Sequence, residues 1–267
     1  MKKLLTILTF TVALCGCNAK TNKNTPAIKE ENPEIKKIDL VLSQMSPRFQ
    51  EEISIQNKDE FLQELKVVLE DEKKYRTDDL DLYYLIDKKH NVGSEYVPKD
   101  LVKLVKNPDF SISRNDLSLR PEAYQALMEL SQGALNDGLR LLVSSTYRSY
   151  DYQKALFERW VRIDGLEEAE RESARAGTSQ HQLGTAIDFG NIDDSFINTK
   201  EGQWLEQNAY KYGWSLSFPK NYEDITGYRW ECWHYRFIGK NACAFQKKWF
   251  NNVQQYMLEF IDLWKNS

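Results

Sequence analysis

Residues 179–188 read Ser179-Gln180-His181-Gln182-Leu183-Gly184-Thr185-Ala186-Ile187-Asp188, and this stretch decides the reading of the chain. Gly177 and Gly184 bracket a loop, and 185–189 is a short β-prone run. An imidazole on the turn and a carboxylate on the following strand can therefore converge. The chain has three histidines, and a second, His234, closes the segment Glu231-Cys232-Trp233-His234. Two nitrogens and one oxygen, from His181, Asp188 and His234, suit zinc. Three protein ligands leave a fourth position open, as in catalytic rather than closed structural zinc sites. Glu231 is placed to act as a base without being a ligand: zinc lowers the pKa of its water to about 7, and the carboxylate accepts a proton as that water attacks a carbonyl. Side chains alternate along a strand, so Glu231 and His234 share a face only if a turn, bulge or strand end intervenes. His90, between Lys89 and Asn91, reads as an ordinary core or surface residue rather than a ligand.

Working outward, 139–145 reads as a strand, and Ser149 as the N-cap of a helix with Ala155, Leu156 and Trp160 inward. Tyr147-Arg148 is left exposed on the turn between them, where Arg148 could stabilise an oxyanion or form a structural ion pair. Upstream, Pro121 opens a helix that Gly138 closes, and 82–86 forms a β-prone run. Downstream lie a charged helix ending near Arg175, another with Trp204, Leu205 and Ala209 ending at Gly213, and aromatic-rich strands at 214–218 and 228–237, expected as antiparallel neighbours. A long C-terminal helix carries Phe245, Trp249, Val253, Met257 and Phe260 on one face. Helices and strands mixed without regular βαβ alternation define an α+β fold.

The N-terminus carries a processing signal: Lys2 and Lys3, an apolar run over 4–14 too short to span a bilayer, then Leu14-Cys15-Gly16-Cys17. It resembles a bacterial lipobox, with Cys17 lipidated after cleavage; the alternative is an ordinary secretory signal. The expected organisation is a lipoprotein signal peptide at 1–17, a flexible polar tether at 18–37, an accessory segment at 38–79 with a helix over 59–74, and the main domain at 80–267. With 36 basic and 40 acidic residues spread along the chain, there is no basic stripe for phosphates, and nucleic acid is excluded as an expected partner. Export leaves open whether Cys232 and Cys243 pair.

The pattern Ser-x-His-x-x-Gly-x-Ala-x-Asp over 179–188, Glu-x-Trp-His over 231–234 and Tyr147-Arg148-Ser149 with Gln153 resembles the zinc D,D-carboxypeptidases of the VanY type and their L,D-carboxypeptidase relatives. The similarity runs from residue 87 to about 239. It implies a small antiparallel sheet flanked by helices, the hedgehog/DD-peptidase-like fold. It also implies one Zn2+ on His181, Asp188 and His234, Glu231 as base, Arg148, Gln153 and Ser179 near the peptide, and Trp233 lining the cleft. The implied substrate is the peptide stem of peptidoglycan, cut by an envelope enzyme anchored through lipid. Two positions depart from the family. Cys232 stands where proline is usual, which would place a thiol beside the zinc. Ser217 replaces an arginine before Phe218-Pro219, which would alter substrate contacts. Ser217-Phe218-Pro219-Lys220 also fits the Ser-x-x-Lys of serine acyl-enzymes, but its proline sits where that motif needs a helix and no partner motif accompanies it.

Overall fold

Asn32 caps the first helix: its side chain accepts from the Glu34 N–H, and Pro33 fills the first turn, where a missing N–H costs nothing. The computed structural model describes residues 32–75 and 80–267, so the expected leader, Cys17 and the tether up to residue 31 lie outside the described residues. Helix α1 (Pro33–Gln44) begins inside the stretch expected as tether to residue 37. Ile38 and Val41 supply its buried face, which a purely polar tether would lack. α2 (Pro47–Glu52) and α3 (Lys58–Lys74) follow.

These helices do not form a separate accessory unit. Phe61 of α3 is fully buried, with ring centroids 5.0 Å from Phe245, 5.4 Å from Trp249 and 5.1 Å from Phe260. Residues 32–267 cluster as one unit, because α3 and the C-terminal helices bury their apolar stripes against each other rather than against water.

Strands β1 (Val102–Lys103) and β3 (Ser118–Leu119) pair antiparallel, and β2 (Ser111–Ile112) pairs parallel with β4 (Leu142–Ser145). Between β3 and β4 runs α4 (Pro121–Asn136), opened by Pro121 as expected. Then come α5 (Tyr150–Glu172), β5 (Ala186–Phe189), α6 (Lys200–Asn208), β6 (Trp214–Leu216), α7 (Glu223–Thr226), β7 (His234–Phe237), α8 (Lys240–Trp249) and α9 (Gln254–Asn266). The main sheet has the order β2-β4-β5-β7-β6. It is antiparallel except at its β2 edge, and helices flank it, the α+β arrangement expected.

Four expectations are corrected. Residues 82–86 form no strand: the Leu82 and Tyr84 carbonyls accept from Arg236, at 2.8 and 2.9 Å, and the Tyr83 N–H donates to Glu72. Side chains thus satisfy the backbone that a ladder would otherwise serve. The C-terminal helix is two helices, split where Asn251 and Asn252 adopt positive φ, a conformation asparagine tolerates better than most residues. In α5 the buried positions are Gln153, Phe157 and Ala169; Ala155 is exposed, and Leu156 and Trp160 are half-buried. β7 begins at His234, not at residue 228.

If the N-terminal helices belong to this core, Phe61→Ala should cost about 3–5 kcal/mol, as for large aromatic truncations, in one cooperative thermal transition. A separate early transition for α1–α3 would contradict this.

Candidate active site

Sheet register brings the site together. Asp188 on β5 lies opposite Ser145 on β4 and opposite His234 on β7, so one carboxylate stands between two neighbouring strands. His181 reaches it from the single turn Gln180–Leu183, which Gly184 ends at φ 71°. A Cβ at Gly184 would lie 2.9 Å from Leu101 Cδ2 and 3.1 Å from Arg120 Cγ, so both conformation and space call for glycine there.

His181, Asp188 and His234 are each at most 4% exposed, and one donor atom from each lies within 4.8 Å of the others. His181 Nδ1 is 2.6 Å from the Thr146 carbonyl, which assigns the proton to that nitrogen. Its Nε2 faces Asp188 Oδ2 at 3.2 Å yet makes no hydrogen bond. Burial, reinforced by Arg148, lowers the His181 pKa to about 4, so the ring is neutral and Nε2 offers a lone pair. His234 Nδ1 is 2.9 Å from Asp188 Oδ1, and its Nε2 is 3.1 Å from Gln180 Oε1. Each outward nitrogen has an acceptor, and each inward nitrogen points at carboxylate oxygen. Two imidazole nitrogens and a carboxylate converging this closely fit a cation, and the N2O donor set is one that zinc accepts. Burial alone would raise the Asp188 carboxyl; His181, His234 and Arg148 outweigh it and hold the group well below the usual carboxylate range.

The alternation conflict at Glu231 is resolved by a turn. The Glu231 N–H donates to the Phe218 carbonyl, and the His234 N–H closes back on the Glu231 carbonyl at 3.4 Å. Glu231 thus precedes the strand, and its Oε2 comes within 3.7 Å of His234 Nδ1. Burial, with the nearby Asp188 charge, pushes its carboxyl well above the usual carboxylate range.

Arg148 sits where the strand-to-helix turn was expected. Its Nη2 donates to Asp188 Oδ2 at 2.9 Å, its Nη1 to Gln153 Oε1 at 3.0 Å and its Nε to Ser145 Oγ at 3.2 Å. Gln153 is fully buried and also donates to the Ala174 carbonyl at 2.7 Å, so it braces Arg148 instead of lining the cleft. Ser179 and Trp233 do line it, in a cleft of about 510 Å³ walled by Leu156, Trp160, Phe218 and Tyr228. Ser179 Oγ also accepts from the His181 N–H at 3.3 Å.

Both expectations drawn from departing residues change. The Cys232 thiol is buried and turned towards the Asp193 carbonyl, 3.7 Å away, not towards the histidines; burial raises its pKa to about 11. Cys232 and Cys243 are both free. Ser217 Oγ, 2% exposed, donates to Gln180 Oε1 rather than facing a substrate. Thr146 and Gln180 contribute to the site unannounced by the sequence. Thr146 acts through its carbonyl, which no residue type signals, whereas Gln180's place beside His181 was a usable hint.

A buried His-Asp-His cluster with a carboxylate on its open side, set on a small mostly antiparallel sheet, defines a metallopeptidase-type centre. Residues 116–240 match the family profile VanY: D-alanyl-D-alanine carboxypeptidase. "Putative carboxypeptidase YodJ" of Bacillus subtilis (strain 168) is 37% identical over 166 residues, 59% of this chain and 60% of that protein, so the match spans less than two thirds of that relative's length. The solved LdcB LD-carboxypeptidase superposes with a TM-score of 0.60 at 32% identity, covering 72% of this chain and 96% of that one. A vancomycin-resistance D,D-pentapeptidase VanY in complex with Zn(II) gives 0.55 at 25% identity, covering 66% and 98%. The chain belongs to the VanY family of D-alanyl-D-alanine carboxypeptidases.

Because the Cys232 thiol points away, Cys232→Ala should leave bound metal, measured by elemental analysis, at the unsubstituted level. Loss of metal would place the thiol in the centre.

Proposed function

We propose that the protein is a zinc-dependent carboxypeptidase that removes the terminal D-alanine from peptidoglycan stem peptides. The observation carrying this reading is Glu231: a buried carboxylate beside the converging donors, where a site built only for binding has no use for a base. His181 Nε2, Asp188 and His234 Nδ1 would hold the ion. Zinc bound there would supply Lewis acidity, polarising a peptide carbonyl and acidifying water.

The remaining work falls to the chain's own groups. Glu231 takes the proton from the attacking water and returns it to the leaving amine. Arg148, its guanidinium fixed by Gln153 and Ser145, stands beside the place where negative charge builds on the carbonyl oxygen. Ser179 and Trp233 face the peptide from the cleft wall, and Gln153 acts only through Arg148.

Export as a lipoprotein anchored through Cys17, with the substrate outside the cytoplasmic membrane, is part of the same proposal and rests on residues 1–17. Among the described residues no helix is long and apolar enough to cross a membrane. Similarity to the LdcB LD-carboxypeptidase favours a second reading on the same centre, removal of D-alanine from an L,D bond, and an endopeptidase would use the same groups.

Chelation should abolish hydrolysis, and Glu231→Gln should retain zinc while losing about 10²–10⁴-fold in turnover; a chelator-resistant enzyme would sink the proposal. Incubation with pentapeptide and tetrapeptide stems, read by mass spectrometry, separates the specificities. Loss of one alanine from the pentapeptide alone is expected, while shortening of the tetrapeptide would favour the L,D reading. Zinc binding with no cleavage of any stem peptide would instead favour a non-catalytic wall-binding module.

A further inference from the structure

The outward nitrogens of the two imidazoles are held differently. His181 Nδ1 meets a main-chain carbonyl, which can only accept. His234 Nε2 meets a side-chain amide, Gln180, which can present either oxygen or nitrogen. The choice matters because Asp188 Oδ1, 2.9 Å from His234 Nδ1, competes for the same imidazole proton. A proton on Nδ1 would remove the lone pair that a metal needs.

Behind Gln180 lies a chain of buried polar groups that settles the amide's orientation. Ser217 Oγ donates to Gln180 Oε1 at 2.7 Å. Gln180 Nε2 faces Gln254 Oε1 at 3.4 Å, and Gln254 Nε2 faces the Ser215 carbonyl, also at 3.4 Å. These two bonds are long, but the chain ends on a group that cannot be reversed. If Gln180 flipped, Gln254 would have to flip with it, and two oxygens would then confront each other at Ser215. Gln180, Ser217 and Gln254 are 7%, 2% and 1% exposed, so solvent is poorly placed to substitute for any of them.

We propose that Gln180 is a positioning residue for the metal centre: oriented by Ser217 and Gln254, its amide oxygen keeps the His234 proton on Nε2 and leaves the Nδ1 lone pair directed at the point shared with His181 and Asp188. This rests on the zinc reading above. It gives Ser217 a role in the centre although its side chain hydrogen-bonds to Gln180 and not to any of the three metal ligands.

The test measures zinc affinity by chelator competition, together with the imidazole N–H proton resonances of the zinc-loaded full chain. Gln180→Leu should weaken zinc binding about 10–100-fold, as loss of a ligand's outer hydrogen-bond partner does. It should abolish the protected His234 Nε2–H signal while the His181 Nδ1–H signal persists. Gln180→Glu, which restores an acceptor, should recover both. Ser217→Ala should weaken zinc binding in the same direction by less, and it decides the matter if the leucine variant does not fold. Unchanged affinity in Gln180→Leu, simultaneous loss of both imidazole signals, a glutamate variant as weak as the leucine one, or an unaffected Ser217→Ala would each overturn the inference. If the unsubstituted chain itself binds no zinc, it is the zinc reading that fails.

Discussion

The carboxylate of Asp188 is the constraint around which the site is organised. Moving an ionised carboxylate into a protein interior costs several kcal/mol unless charge and hydrogen bonds compensate, and Asp188 is 2% exposed. Compensation comes from three directions: Arg148 from the turn after β4, His181 from the turn before β5, and His234 across the β5–β7 ladder. Each partner must arrive in a defined place, so loop geometry on both sides of the sheet is tied to this one group. The same convergence supplies donor atoms for a cation.

Two short irregularities make that convergence possible. Gly184 lets the chain turn in a left-handed conformation where Leu101 and Arg120 leave no room for a side chain. The turn at Cys232 and Trp233 takes Glu231 out of the strand alternation, so that Glu231 and His234 face the same cavity. Around them, orientation is set from a distance. Thr146 and Gln180 hold the imidazoles, Gln153 and Ser145 hold Arg148, and the Phe218 ring lies 4.8 Å from that of His234. Such outer contacts govern how accurately metal ligands are presented.

Support for the sheet comes from far along the chain. Phe61 joins Phe245, Phe250 and Phe260 in one aromatic cluster, linking α3 to the two C-terminal helices. Arg236, two residues beyond His234 on the same strand, is fully buried and binds the carbonyls of the irregular segment at Leu82 and Tyr84. The segment preceding the domain's sheets is therefore tied directly to the strand that carries a ligand.

What the sequence determined by itself was chemical. The spacing of His181, Gly184 and Asp188, and of Glu231 and His234, announced a metal centre with a carboxylate beside it, because few arrangements of such residues serve any other purpose. Helix starts at Pro121 and Ser149 were legible because caps and N-terminal prolines act locally. The tertiary structure alone decided matters that depend on distant partners. The run at 82–86 looks like a strand, but Arg236 and Glu72 claim its backbone. Gln153 looks like a substrate contact, but Arg148 needs it as a brace. Cys232 adjoins the site in sequence, yet its thiol turns to Asp193. α1–α3 look peripheral until the partners of Phe61 are seen. Local propensity is written along the chain, whereas burial and pairing are set by residues that meet only once it has folded.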